Sequence, residues 1–259
     1  MKILAIGDPH GRVDLLRKVP KNGVDLILVT GDIGKADLAR QRFFENVKRK
    51  HKGLSELEDD EEFDYNVSME VYDSSMNVLN YLRKVAPVFL IYGNVEPYGG
   101  RRPEKNRKAP WLPHEIIKMS NVSVINNKVR NFKSIRIGGL EFFMDTNWVR
   151  DFKPGDFKKK MARARKSTDK ARRVLNRFKD IDILLHHQPP YGFLDKVGGK
   201  APKHWHGKHA GSKVILDYIK RFHPRYSFCG HIHEGKGMTK IGNTEVYNLG
   251  VGGYKIVEL

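Results

Sequence analysis

The feature that most restricts how this chain can fold is a set of five short apolar runs, each rich in branched residues and each stopped by glycine and polar groups. They read KILAIGDPH (2–10), DLILVTGDIG (25–34), VFLIYGNVE (88–96), DILLHHQPP (182–190) and YSFCGHIH (226–233). Continuous apolar runs of this length read as strands buried on both faces. Segments with helical character lie between the first three, among them Asp14–Val19 and roughly residues 69–84. Strands alternating with helices predict an α/β fold with a largely parallel sheet. Further on, VSVINNKVRNF (122–132), SIRIGGLEFFMDT (134–146) and TEVYNLGVGGYKIVEL (244–259) read as strands with fewer helices between them. They predict a second sheet with antiparallel pairing, packed on the first.

A chain of 259 residues can bury one substantial core, so residues 1–259 are expected to form a single domain with insertions. One insertion, at about 98–115, mixes glycine, proline and basic residues (YGGRRPEKNRKAPWLP), the composition of a loop. The acidic run ELEDDEEFD (56–64) reads as a solvated loop or a helix start. The segment 150–179 carries thirteen Lys and Arg against three Asp. Its small and apolar residues, Phe157, Met161, Ala164, Ala171, Leu175 and Phe178, recur at helical spacing, predicting an amphipathic helix with a basic outer face.

The net charge of +18 favours polyanionic partners, nucleic acid among them, although a basic solvated surface accounts for it equally well. A lone cysteine, Cys229, excludes an internal disulfide and a thiolate zinc cage; placed within an apolar run, it reads as a small buried residue. The first apolar run meets Asp8 too early for a secretion signal, and no stretch approaches the ~20 apolar residues of a membrane span. A cytoplasmic protein is the expectation.

What stands at the strand ends matters most. The first run offers Asp8 and His10, the second Asp32, the third Asn94, the fourth His187 beside His186, and the fifth His231 and His233. Ligands of open α/β sheets bind at the carboxyl ends of the strands, so seven oxygen and imidazole donors would meet at one edge. Taken singly, Asp8 and Asp32 read as helix caps and Asn94 as a turn residue. Together, two carboxylates and four imidazoles without a thiolate suit divalent manganese, iron or zinc. Gly230 permits a bend, and in an extended segment His231 and His233 would point the same way, one imidazole for each ion of a polynuclear site.

This set, in this order, resembles the calcineurin-like metallophosphoesterase family, whose pattern is D-x-H, GD, GN, a lone His and GH-x-H. Here it stands as Asp8-Pro9-His10, Gly31-Asp32, Gly93-Asn94, His187 before Gln188-Pro189-Pro190, and Gly230-His231-Ile232-His233. The resemblance implies a four-layer αββα sandwich of two mixed sheets. It also implies two divalent ions, manganese foremost, with iron, zinc or nickel compatible. Asp8, His10, Asp32 and His233 would hold one ion, and Asp32, Asn94, His187 and His231 the other, with Asp32 bridging. Such a pair can share a hydroxide that attacks phosphorus in line. The implied activity is hydrolysis of a phosphate ester, foremost a phosphodiester or nucleotide-like one.

The chain departs from the family where many members follow the GN asparagine with a proton-donating histidine; Val95 stands there, followed by Glu96. Candidate replacements are Glu96, His206 and His209, with His209 preferred because its H-x-G-S stretch resembles one common in family members of this type. Arg101, Arg102 and Arg107 follow the GN motif closely enough to grip a substrate phosphate, together with Asn94 and His206. Two other classes share the motifs: a non-catalytic binding scaffold, and a nuclease or nucleic-acid-binding protein.

Overall fold

The computed structural model describes residues 1–97, 108–154, 156–199 and 201–259. In chain order these form β1 (Lys2–Ile6), α1 (Val13–Arg17), β2 (Leu26–Val29), α2 (Asp37–His51), α3 (Glu61–Leu82) and β3 (Val88–Leu90). Then come α4 (Leu112–Ile117), β4 (Val122–Val124), β5 (Lys128–Phe132), β6 (Ile135–Leu140), α5 (Thr146–Phe152) and α6 (Phe157–Leu175). The remainder is β7 (Ile183–His186), α7 (Lys213–Phe222), β8 (Tyr226–Cys229), β9 (Gly237–Ile241), β10 (Thr244–Asn248) and β11 (Tyr254–Glu258).

Two mixed sheets result. The first runs β11-β1-β2-β3-β4, with β1 to β4 parallel and β11 antiparallel against β1. The second runs β5-β6-β7-β8-β10-β9, parallel through β6, β7, β8 and β10, with antiparallel strands at both edges. Three features differ from expectation. The strand at Val122–Val124 and the last strand leave the second sheet to form the two edges of the first, and the second sheet is antiparallel only at its rims. The reason is connectivity: α5 and α6 carry the chain from β6 to β7, and α7 carries it from β7 to β8. Such crossovers return a strand parallel to its predecessor.

Strand alternation builds four layers. Ile3, Ala5, Leu26 and Leu28 face Ile137, Ile183, Leu185 and Phe228 between the sheets. Their neighbours Leu4, Ile6, Ile27 and Val29 face outward onto α1, α3 and α4 through Leu16, Val78, Leu79 and Leu112. On the far side, Leu140, Leu184 and Val246 meet α6 and α7 through Ala171, Val174, Ile215 and Ile219. The chain is therefore an αββα sandwich of α/β class, and its strands read as uninterrupted apolar runs because both faces are covered.

The acidic run resolves into a loop and a helix start: the Asp60 carboxylate accepts from the Phe63 N–H, and Glu61, Glu62 and Asp64 occupy the first turn of α3. In α6 the buried face begins only at Ala164 and continues through Thr168, Ala171, Val174 and Leu175. Phe157, expected on that face, is 42% exposed, since it stands in the first turn, ahead of the buried part of the helix. Phe178 is buried just beyond the helix end. Of the insertion at 98–115, residues 98–107 lie outside the described residues, and Leu112 opens α4. No described helix is long and apolar enough to cross a membrane.

Phe228 is fully buried between the sheets, so Phe228→Ala is expected to cost about 3–5 kcal/mol, read as a lower urea midpoint. Ile117→Ala, at a side chain 78% exposed, should stay within about 0.5 kcal/mol of the parent. Equal effects would contradict the placement of the inter-sheet core.

Candidate metal centre

The carboxyl ends of β1, β2 and β3 in the first sheet and of β7 and β8 in the second open on the same edge. Past them stand Asp8 and His10, Asp32, Asn94, His187, and His231 and His233. Three of these residues hold left-handed backbone, His10 at φ 45°, Asp32 at φ 44° and His231 at φ 65°. Non-glycine residues adopt it only where their surroundings over-determine it, at a cost of about 1–3 kcal/mol each. Here the His10 N–H donates to the Asp32 carbonyl at 2.9 Å, and the Gly11 N–H to the Ile33 carbonyl at 2.7 Å. Gly230 has no room for a side chain, since a Cβ would lie 2.1 Å from Asp8 Oδ1.

Asp8 is fully buried. Its Oδ1 accepts from the Thr30 hydroxyl at 2.7 Å, and its Oδ2 from the His231 N–H at 2.6 Å. That Oδ2 lies 3.2 Å from His233 Nε2, which lies 3.4 Å from His10 Nε2. The two oxygens of Asp32 divide: Oδ2 is 3.8 Å from His10 Nε2, and Oδ1 is 3.5 Å from His187 Nε2. Asn94 Oδ1 stands 3.1 Å from that same His187 Nε2, and the His231 ring centre is 4.9 Å from the His187 ring centre. Among the described residues, Asp8, His10 and His233 form one group of converging donors, and Asp8, Asp32 and His187 another.

This donor set fits divalent ions. Two imidazole nitrogens face each other beside a carboxylate oxygen, an arrangement a cation relieves. His187 directs Nδ1 at the Thr30 carbonyl, 2.9 Å away, so Nδ1 carries the proton and Nε2 is the nitrogen left to bind. Asp32 reaches His10 with one oxygen and His187 with the other, and Asp8 belongs to both groups of donors. Burial and its neighbour His187 push His231 down to about 3, which keeps it the neutral imidazole that metals bind. Burial likewise lowers His10. Burial raises Asp8, but His187, the hydrogen bond from His233 and His10 outweigh it and hold the carboxyl well below its usual range. For His187 burial is also outweighed: Asp32 and Asp8 lift it above the ordinary 6.5.

The fifth motif differs from the extended segment expected. His231 is left-handed and His233 begins a 3-10 turn, so the two imidazoles diverge, His231 toward His187 and His233 toward Asp8 and His10. Asp8 and Asp32 cap no helix: the N-caps that follow them are Arg12 and Ala36. Glu96, considered as a proton donor, is 2% exposed and turned inward. It accepts from the N–H groups of Ile33, Gly34 and Gly93, tying the GD loop to the GN loop. Burial and Asp32 push it up to about 7. His206, exposed, follows the 3-10 turn Lys203–Trp205, with Nε2 on the Ala201 carbonyl at 2.8 Å. His209 places Nδ1 2.6 Å from Oδ1 of buried Asp195. His186 is bound at both ring nitrogens, to the Gln188 carbonyl and the Ser227 hydroxyl, and is pushed down to about 4 by burial. Arg101, Arg102 and Arg107 fall outside the described residues. Sequence reading missed Thr30, which anchors Asp8 and orients His187, and Asp195; a hydroxyl two positions before Asp32 was the one signal for the first.

The family model for calcineurin-like phosphoesterases matches residues 1–235. The chain belongs to the calcineurin-like phosphoesterase family. That family comprises metal-dependent phosphoric ester hydrolases. Human Metallophosphoesterase domain-containing protein 1 is 39% identical over 72 residues, 27% of this chain and 20% of that protein. The Methanocaldococcus jannaschii protein MJ1162 is 38% identical over 77 residues, 29% of this chain and 33% of its own length. The match thus spans a third or less of these relatives. Among solved structures, a Staphylococcus aureus putative 5'-nucleotidase superposes with TM-score 0.51 at 13% identity, covering 99% of this chain and 50% of that one. The Thermus thermophilus protein TT1561 superposes with TM-score 0.50 at 13% identity, covering 96% and 89%. At such identities they share the fold.

Two outcomes are expected of this candidate centre. Thr30→Val keeps the carbonyl that orients His187 but removes the hydroxyl on Asp8, and should weaken divalent-ion affinity about 10–100-fold in a calorimetric titration. The proton on His187 stabilises the metal-free fold below pH 6.5, and that contribution is lost as pH rises through the raised value. A metal ion needs the same nitrogen bare, so the gain in Tm on adding Mn²⁺ should grow as pH rises through this window. A gain independent of pH would contradict the assignment of His187.

Proposed function

We propose that this chain hydrolyses phosphodiesters or nucleotide-like phosphate esters with two divalent metal ions, manganese the first candidate. The observation that carries the reading is the division of Asp32 between His10 and His187, which puts a set of donors on each side of that carboxylate, with Asp8 adjoining both. Asp8, His10, Asp32 and His233 would hold one ion, and Asp32, Asn94, His187 and His231 the other. When bound, the pair supplies Lewis acidity, activating water and neutralising charge that develops on the phosphoryl oxygens.

The protein's own side chains hold the geometry. Asp8 is fixed from both oxygens, and the Val95 N–H donates to Asp32 Oδ1 at 2.9 Å, so neither carboxylate can swing away. Glu96 holds the loops that carry Asp32 and Asn94 together. Since Val95 has no proton to give and Glu96 points inward, protonation of the leaving group falls to His209. Its Nδ1–H donates to Asp195, whose other oxygen is held by the Gly192 and Gly211 N–H groups at 2.9 and 3.0 Å. A ring oriented in this way keeps Nε2 to pass a proton.

Turnover of bis(p-nitrophenyl) phosphate with Mn²⁺ tests the reading. Asp8→Asn and His231→Ala should each abolish it; full activity in both would end the proposal. His209→Gln should lower kcat about 10²–10⁴-fold for an alkyl leaving group but little for p-nitrophenolate, which departs unaided. An equal loss on both would remove His209 from proton transfer.

A further inference from the structure

Beside the metal-ligand cluster lies a pocket of about 230 Å³, lined by Asn94, His231, Asp145 and Gln188 together with the apolar Phe142, Phe143, Met144 and Trp148. The Phe142 ring centre is 5.6 Å from that of His231 and 5.8 Å from that of His187, so the aromatic wall starts at the donors themselves. Phe142, Phe143 and Met144 are also the wall of a second pocket, about 530 Å³, whose far side is α6. There Arg163, Lys166, Ser167 and Lys170, at positions i, i+3, i+4 and i+7, present one stripe of the basic helix. The stripe is held in place: Ser167 Oγ donates to the Met144 carbonyl at 2.6 Å, and the Thr146 N–H to Thr168 Oγ1 at 3.1 Å. Lys170 already pairs with Glu141 at 3.2 Å. Among the described residues Arg163 and Lys166 pair with no carboxylate; the ion pairs of α6 are Lys170 with Glu141 and Arg172 with Asp169.

Donors suited to metals, an aromatic pocket and a row of cations thus follow one another across a shared wall. We infer that the substrate is a single-stranded oligonucleotide, with one phosphodiester at the metal-ligand cluster, the adjoining base against Phe142 and Trp148, and a further phosphate on Arg163 and Lys166. This deepens the phosphoesterase reading and rests on it. An unpaired base can enter an apolar pocket and stack on aromatic rings, whereas a base within a duplex cannot reach it. The charge of +18 attracts the backbone, and the stripe on α6 gives it a direction.

The test combines binding with turnover. Fluorescence anisotropy with a labelled single-stranded DNA 10-mer, in Ca²⁺ and in Mn²⁺, compares the parent with Arg163→Ala/Lys166→Ala. A second double variant, Lys158→Ala/Arg165→Ala, removes two exposed cations of the same helix outside the stripe. The stripe variant should weaken binding about tenfold or more and reduce the slope of log affinity against log salt by about 1.4, as expected for two lost single-strand contacts. The off-stripe variant should change binding less than about threefold. With bis(p-nitrophenyl) phosphate, which carries one phosphate, kcat and KM of the stripe variant should match the parent. Equal losses in the two double variants, or equal affinity for duplex and single strand, would overturn the proposal in favour of general attraction to polyanions. Loss of aryl diester turnover in the stripe variant would also overturn it. Failure of the parent to hydrolyse any phosphoester, with stripe-dependent binding intact, would sink the catalytic reading and not the subsite.

Discussion

The centre depends on a buried carboxylate. Asp8 sits at the end of the first strand, sealed from water, with both oxygens engaged from two different sheets: the Thr30 hydroxyl on the first, the His231 N–H and His233 ring on the second. A buried charge is tolerated only when it is paired and hydrogen-bonded. The seam between the sheets is therefore also the place where donors from both must converge. The requirement explains Gly230, since any side chain there would strike Asp8, and it explains why His231 adopts a left-handed backbone to bring its N–H onto the carboxylate.

Around that anchor the loops are cross-tied. Glu96 gathers three N–H groups from the GD and GN loops, so the position next to Val95 serves geometry where sequence alone left open a role in proton transfer. Its burial beneath the loops removes it from any leaving group. The His209–Asp195 pair belongs to a different segment, fixed by backbone donors at Gly192 and Gly211. The carboxylate that ties the loops and the imidazole fixed by Asp195 thus stand on separate segments of the chain.

The basic helix connects the centre to the overall charge. Its buried face is legible as a stripe of small and apolar residues from Ala164 onward, and its cations had no assigned direction in sequence. The fold turns one edge of the helix toward Phe142, Phe143 and Met144, the residues that also border Asn94 and His231. Surface charge that could have been plain solvation is thereby set along a path leading from the donors.

Much was legible beforehand because it is local. Runs such as Leu26–Val29 and Ile183–Leu185 are apolar without alternation, which marks strands covered on both faces, and the polar residues closing each run announce the edge where donors meet. Helix α2 was not legible, since charged residues dominate it and its Phe43 remains half exposed. The partner of β11, the parallel centre of the second sheet and the divergence of His231 from His233 were equally out of reach. Order along the chain determined which side chains could act together, because residue types and strand ends are written in it. Only the tertiary structure decided which oxygen meets which imidazole and which face of α6 meets the pocket, because those contacts join residues far apart in sequence and depend on how the sheets and helices pack.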